Sequence, residues 1–200
     1  FEKIYPHNPL VNSFRDNKDS KIISLLGFGR SGSLFLQSLF DGHPEISTLP
    51  GYFFKGWFNE EAWQILKPNY KNSNWRRDLI KKIIELFEPQ FNSRSKKNVI
   101  GKPCDDIPWL SKSLGFTQLG ETCSESLVLN KKIFEINFLK LIDSIEQVDS
   151  KLCFELIHDA FDLAYRNNEK NLDLEKTLFY HLHNPNVFEH LNFINNFPNS

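Results

Sequence analysis

The feature that most constrains the fold is a short apolar run that ends in a cluster of glycines. Residues 21–26 read KIISLL, and glycine follows at Gly27, Gly29 and Gly32. An apolar run of this length, bounded by glycine, is typical of a buried strand. The next segment, Ser33 to Asp41, has leucine and phenylalanine at helical spacing and is followed by a glycine and a proline that would stop a helix. The sequence therefore predicts a strand, a glycine-rich loop and a helix.

Further apolar patterns along the chain alternate between helical and extended spacing. We expect helices at 59–66, 73–87, 134–148, 150–164 and 184–196, and strands at 98–101 and 177–182. Ser150 is the expected cap of the fourth of these helices. Strands that alternate with helices predict an α/β domain with a parallel sheet. Residues 1–20 are polar and contain two prolines, so we expect an N-terminal arm or loop before a domain over 21–200.

Composition excludes several classes of partner. The chain has 24 Lys and Arg against 25 Asp and Glu, so bulk electrostatic binding of nucleic acid is not expected. No apolar run approaches the ~18 residues of a membrane span, and no signal peptide opens the chain.

The chain begins with Phe1 and contains no methionine, which we interpret as a fragment of a longer protein. Its cysteines are few and widely spaced, which indicates reduced thiols, favours a cytoplasmic location and argues against a zinc site.

The glycine cluster is compatible with two common nucleotide motifs, and each lacks a required part. Gly27-x-Gly29-x-x-Gly32 has dinucleotide-binding spacing, but that fold needs a second strand ending in an acidic residue roughly 20 positions later. The corresponding stretch, 45–51, ends in Pro-Gly instead. Gly27-x4-Gly32 also has Walker A spacing, but Ser33 and Leu34 stand where that motif has Lys and Ser or Thr. A nucleotide kinase or NTPase remains an alternative, although the lysine with which such enzymes bind the phosphates is missing here.

A third interpretation places the cation before the last glycine, at Arg30. A guanidinium there can reach an anion towards which the amides of Ser31 to Leu34 point from the start of the helix. The Ser33 hydroxyl can add a further donor. The loop is thus predicted to hold a phosphate or phosphosulfate group.

This arrangement resembles the 5′-phosphosulfate loop of the sulfotransferase family. The tract Arg30 to Leu36 (RSGSLFL), followed by Asp41 to Ile46 (DGHPEI), resembles "RSGT…L…LLD.HP.I" of protein-tyrosine sulfotransferases and their bacterial relatives. Near the other end, Leu182-His183-Asn184-Pro185, a predicted helix and then FPNS resemble the family's "LKSP…helix…FPDA". The likeness covers about residues 20–200 in layout, with motifs at its two ends.

The resemblance implies a three-layer αβα fold with a P-loop NTPase-like parallel sheet, incomplete at the C-terminus. It implies transfer of a sulfuryl group from 3′-phosphoadenosine-5′-phosphosulfate (PAPS) to a hydroxyl or amine of a small molecule, glycan or peptide, without a metal. The implied catalytic residues are Arg30 and His183. The implied cofactor-binding residues are Gly29, Arg30, Ser31, Gly32, Ser33 and Leu34. A domain that binds a nucleotide or anion without turnover, and a glycine-rich turn with only a structural purpose, remain alternatives.

The sequence departs from the family pattern at several positions. His183 stands where the family usually has lysine, and Lys102 is a rival for that role. The catalytic glutamate of tyrosine-sulfating members would fall near 49–51, where no carboxylate exists, so the sequence identifies no general base and does not support a tyrosine-peptide acceptor. An acceptor pocket or the core could explain the aromatic residues Tyr52, Phe53, Phe54, Trp57, Phe58 and Trp63. An anionic acceptor or simple solvation could explain the basic residues Arg76, Arg77, Lys81 and Lys82.

Overall fold

The computed structural model describes residues 21–27, 31–40, 43–49, 57–87, 91, 103–104, 107–111, 128–165, 177–183 and 187–198. Within these ranges the strands are β1 (Ile22–Gly27), β2 (Ile46–Ser47), β3 (Pro103–Cys104), β4 (Ile107–Ser111) and β5 (Thr177–His183). The helices are α1 (Ser33–Ser38), α2 (Glu60–Leu66), α3 (Trp75–Leu86), α4 (Lys131–Leu141), α5 (Ser150–Tyr165) and α6 (Val187–Asn196). The predicted α/β class is confirmed.

The main sheet is parallel and has the order β1-β5-β2, so the last described strand lies between the first two. β1 pairs with β5 along its whole length, from Ile22 beside Leu178 to Gly27 beside His183. β2 pairs with the start of β5, where Ile46 lies beside Thr177. The carboxyl ends of β1 and β5 are therefore level, and the loop that leaves β1 starts at this edge of the sheet.

Helical segments cover both faces of this sheet. Successive side chains of β5 point to opposite sides, and each side has its own packing partners. Phe179 packs against Phe40, just after α1, with ring centroids 5.2 Å apart. Tyr180 faces the other way and stacks on Phe193 of α6 at 4.3 Å. Phe154 of α5 lies on the same side as α6, 6.0 Å from the Tyr180 ring.

The hydrophobic core lies mainly on the α5 side of the sheet. Nearly every side chain from Cys153 to Ala164 is buried, so α5 runs through the interior rather than over the surface. Aromatic side chains fill much of the space around it, among them Phe91, which packs edge-on against Phe134 at 4.8 Å. Burying one such ring contributes roughly 1.5–3 kcal/mol relative to leaving it in water.

Several helix boundaries differ from those predicted, and side-chain caps explain two of them. α4 starts at Lys131 rather than at residue 134, because the Asn130 side chain accepts hydrogen bonds from the amides of Lys132 and Ile133. Ser150 was the expected cap of α5, and this prediction is wrong. Asp149 is the cap: its carboxylate accepts from the Leu152 amide at 2.7 Å.

The sequence did not predict β2 or the antiparallel pair of β3 and β4. β2 has two residues, too few for a period-2 pattern, and Pro108 within β4 argues against a strand on sequence alone. The predicted arm at 1–20 and the predicted strand at 98–101 lie outside the described residues. Among the described helices, none combines the length and apolar character that crossing a bilayer would require.

Candidate anion-binding site

The end of β1 and the start of α1 touch at Gly27 and Ser33. A Cβ placed on Gly27 would lie 2.6 Å from both the Cβ and the Oγ of Ser33. No side chain fits at that separation, so glycine is required for strand and helix to approach this closely. The contact brings the two ends of the glycine-rich segment, Gly27 and Ser33, together at the carboxyl edge of the sheet.

Gly32 makes the turn from the loop into α1. Its φ of 75° lies in the left-handed region, which glycine adopts without steric cost. Among the described residues, apart from its chain neighbours, none has an atom within 4 Å of where a Cβ on Gly32 would be. The first hydrogen bond of the helix runs from the Leu36 amide to the Gly32 carbonyl at 3.0 Å. The amides of Ser31 to Leu34 precede that bond, so the helix does not use them.

His181 of β5 lies beneath this turn. It is 5 % exposed, and its Nε2 is 3.3 Å from the position that a Cβ on Gly27 would take. Its other ring nitrogen, Nδ1, is 2.7 Å from Oε1 of Gln37 on α1. Gln37 in turn donates from Nε2 to the Leu49 carbonyl oxygen at 2.6 Å. A chain of hydrogen bonds thus runs from the loop after β2, through α1, to the middle strand of the sheet.

This chain fixes which nitrogen of neutral His181 carries the proton. The Leu49 carbonyl can only accept, so the amide nitrogen of Gln37 must face it and the amide oxygen must face His181. Because that oxygen also only accepts, Nδ1 of His181 is the donor. In the neutral ring Nε2 is then the acceptor, and it is directed at the contact between Gly27 and Ser33.

The elements around this turn carry almost no formal charge. Neither β1 nor α1 contains an acidic or basic residue, and β5 contains none besides its two histidines. In the segment before β2, His43 and Glu45 are exposed, and Nδ1 of His43 accepts from the Glu45 amide at 3.1 Å. Backbone amides, histidine and Arg30 are therefore the groups of the predicted site that can attract an anion.

The structure brings only some of the sequence-predicted site residues together. Ser31, Gly32, Ser33 and the backbone of Leu34 lie at the carboxyl edge of the sheet, as the motif requires. The backbone of His183 is level with Gly27 on the neighbouring strand, and its side chain lies outside the described part of the chain. The predicted site residues Gly29 and Arg30, and the rival cation Lys102, also lie outside it.

Sequence reasoning missed two residues that the structure places at the turn, Gln37 and His181. Gln37 comes four positions after Ser33, which puts both side chains on one face of α1. His181 alternates with His183 and so shares its face of β5. The helical and strand periods could therefore have indicated both residues, although neither period shows that the two side chains meet.

Other polar groups are buried on the opposite face of the sheet. The Ser47 hydroxyl on β2 is 2.9 Å from Nδ1 of His158 on α5, and the same helix buries Glu155, Asp159 and Asp162. Over the described ranges, no three His, Cys, Asp or Glu side chains are grouped so as to hold a metal ion.

The structure bears on both suggested acceptor surfaces. Trp57, Phe58 and Trp63 belong to the core, and the Trp57 indole donates to the Ser150 carbonyl at 2.8 Å. The remaining aromatic residues of that tract, Tyr52, Phe53 and Phe54, lie outside the described residues. In the basic set, Arg76 is bound to backbone carbonyls of the segment after α4, whereas Arg77, Lys81 and Lys82 are exposed.

No protein-family model, curated protein or solved structure matches this chain significantly.

Proposed function

We propose that this chain is the donor-binding part of a sulfotransferase, which moves a sulfuryl group from PAPS to a hydroxyl or amine. The observation that carries the proposal is the contact between Gly27 and Ser33, which brings the two ends of the glycine-rich segment together at the carboxyl edge of a parallel sheet. Ligands of open α/β sheets bind in general at that edge. Helices on both faces of the sheet support a three-layer αβα arrangement of the P-loop NTPase-like type.

The composition of the loop favours a phosphosulfate over a nucleoside triphosphate. Ser33 occupies the place of the Walker lysine and is 8 % exposed against Gly27, so no long cationic side chain fits there. The Walker cation that pairs with the β- and γ-phosphates is thus missing. The amides of Ser31 to Leu34, and the space that the described residues leave beside Gly32, suit a compact anion whose remaining charge Arg30 can neutralise.

In the proposed mechanism the chain binds and orients the donor and offsets charge. The amides of Ser31 to Leu34 and the Arg30 guanidinium hold the 5′-phosphosulfate. The acceptor oxygen or nitrogen forms a new bond to sulfur while the bond from sulfur to the bridging oxygen breaks, and the bridging oxygen keeps that electron pair. Arg30 and His183 stabilise the charge that develops there. The acceptor proton passes to a base outside this set of residues, and 3′-phosphoadenosine-5′-phosphate (PAP) leaves.

Binding of PAP, compared between the chain and its Arg30→Ala variant, tests this proposal. Losing a charge-assisted hydrogen bond costs roughly 1.5–3 kcal/mol, so affinity should fall by about 10- to 100-fold. Arg77→Ala is the matched control, because it removes the same charge from an exposed position on α3 and should leave affinity unchanged. Equal affinity of Arg30→Ala and the unaltered chain would refute the assignment of the loop.

Turnover separates the proposal from its two alternatives. Incubation with PAPS labelled on sulfur, together with hydroxyl and amine acceptors, should move the label to an acceptor. Preferential binding of ATP with magnesium would instead indicate a kinase-like enzyme. PAP binding without label transfer to any acceptor would indicate a domain that holds nucleotides without turnover.

A further inference from the structure

We propose that the outer edge of β1 is a self-association surface, along which the β1 strands of two copies of this chain pair antiparallel. Among the described strands, β1 has a sheet neighbour on one side only, β5. Pairing through the other side joins two three-stranded sheets into one of six strands. The inference is independent of the proposed anion site, because it concerns the strand itself and not the loop that follows it.

The first support is the direction of the backbone groups of β1. The Leu178 amide donates to the Lys21 carbonyl oxygen at 2.8 Å, so Lys21 and every second residue after it face β5. The amides and carbonyls of Ile22, Ser24 and Leu26 therefore point to the outer edge, where no described strand pairs with them. A row of outward donors and acceptors is a template for a further strand.

The second support is that β1 carries none of the features with which proteins protect an exposed sheet edge. Such edges usually contain lysine or another charge, a proline or a bulge. β1 (IISLLG) has no charged residue and no proline, and all six of its residues pair in continuous register with β5. Helix α1, which contacts β1, has no charged residue either. Two copies can therefore meet along this edge without bringing like charges together.

The third support is apolar surface on both faces of the sheet at this edge. Ile23 is in register with Phe179, lies on the α1 side and is 39 % exposed. Leu26 points to the opposite face, because it is an odd number of positions away, and is 43 % exposed. Leu36 and Leu39 of α1 are exposed as well. Parallel sheets are normally buried on both faces, and a second sheet edge with its own helices covers both at once.

Antiparallel pairing about a two-fold axis makes the edge complementary to itself. With Ser24 opposite Ser24 of the second copy, Ile22 lies opposite Leu26, and all three outward residues exchange backbone hydrogen bonds. On one face the exposed Leu26 then packs against Ile22, and on the other the exposed Ile23 packs against Leu25. A shift of two residues in either direction carries an outward residue past the end of the facing strand. The same six residues thus supply both halves of the interface, which favours a second copy as the occupant.

Sedimentation velocity of the 200-residue chain tests the proposal. The unaltered chain should shift from monomer to dimer as its concentration rises. Ser24→Lys should weaken this association by about tenfold or more, because two like charges then lie opposite each other. Ile136→Lys is the matched control, since it adds the same charge at an exposed position of α4 and should leave association unchanged. A chain that is monomeric at every concentration, or a dimer that Ser24→Lys does not weaken, would overturn the proposal.

Mixing two variants tests the register. Ser24→Glu should dissociate the dimer as Ser24→Lys does, and an equimolar mixture of the two should associate again, because each pair then carries opposite charges. Recovery in the mixture also shows that both variants fold. If the mixture stays monomeric while each variant keeps the circular dichroism spectrum of the unaltered chain, Ser24 does not face itself and the proposed pairing is wrong.

Hydrogen exchange in the unaltered chain distinguishes a second copy from another segment of the same polypeptide. The amides of Ile23 and Leu25 face β5 and should be protected at every concentration. Those of Ile22, Ser24 and Leu26 should gain protection only as the chain associates. Protection of these three at every concentration would assign the edge to another segment, and fast exchange at every concentration would leave it unpaired; either result overturns the proposal.

Discussion

Ser33 lies so close to Gly27 that a methyl group on Gly27 would meet both the Cβ and the Oγ of Ser33 at 2.6 Å. The two residues belong to different elements, the last position of β1 and the first of α1. Their contact determines where the loop between them begins and ends, and therefore where its amides can point.

Gly27→Ala should destabilise the chain by about 1–3 kcal/mol, because the added methyl group overpacks the contact with Ser33. Urea unfolding followed by circular dichroism measures the loss. Ser33→Gly in the Gly27→Ala background removes both clashing atoms and should recover part of the stability. A Gly27→Ala variant as stable as the unaltered chain would show that α1 does not approach β1 this closely.

Gly32→Ala should also be destabilising, for a different reason. The described residues around Gly32 leave room for a methyl group, but its φ of 75° costs an alanine about 1–2 kcal/mol. Gly32→Asn should cost less, since asparagine tolerates the left-handed region better. Equal urea midpoints for the alanine and asparagine variants would contradict a left-handed backbone at this position.

Arg76 connects α3 to the end of α4. Its guanidinium donates to the carbonyl oxygens of Ile142 at 2.9 Å and Ile145 at 2.5 Å, and it lies 4.5 Å from the centre of the Trp75 ring. Arg76→Ala should cost about 1.5–3 kcal/mol in urea unfolding, because its charge-assisted bonds to the carbonyls of Ile142 and Ile145 are lost. Arg77→Ala, at an exposed neighbouring position, should change stability by less than about 0.5 kcal/mol.

Cys153 should be inert towards thiol reagents in the folded chain. It is fully buried on α5, and burial, followed by the nearby Asp149 carboxylate, raises its pKa far above the usual range of a thiol. In a Cys104→Ser, Cys123→Ser background, a chromogenic disulfide should therefore react with Cys153 only as fast as the chain unfolds. Fast labelling without denaturant would contradict burial of the thiol.

The same shift predicts a loss of stability at alkaline pH. The unfolded thiol ionises near about pH 8.5, whereas the folded thiol keeps its proton, so above that pH the unfolded state binds fewer protons. The free energy of unfolding should then fall by up to about 1.4 kcal/mol per pH unit. Cys153→Ala removes this contribution and should flatten the alkaline slope; an unchanged slope would assign the effect to another group.

The sequence predicted the elements with long or well-bounded apolar patterns. β1, β5, α3 and α5 lie close to their predicted positions, because each has a clear period and a turn residue or cap at one end. It predicted a parallel sheet as well, although not that β5 would lie between β1 and β2. Strand order depends on which faces pack together, and a single sequence does not record that.

The candidate site, like the fold, was predictable only where its residues are close together in the sequence. Its loop could be recognised because glycine, arginine and serine follow one another in the sequence. The contact between Gln37 and His181 could not be predicted, since the two residues are 144 positions apart and meet only when β5 enters the sheet. The hydrogen bond from Gln37 to Leu49 likewise joins two elements whose separation depends on the fold.

The position of β5 between β1 and β2 has a consequence for synthesis on the ribosome. Among the described strands, β1 and β2 have no sheet neighbour until residues 177–183 have left the exit tunnel. Closing so long an intervening segment slows folding and leaves both strand edges open to association with other chains in the meantime. A nascent chain stalled before β5 should therefore depend on chaperones, and it should become resistant to protease only once the middle strand has emerged.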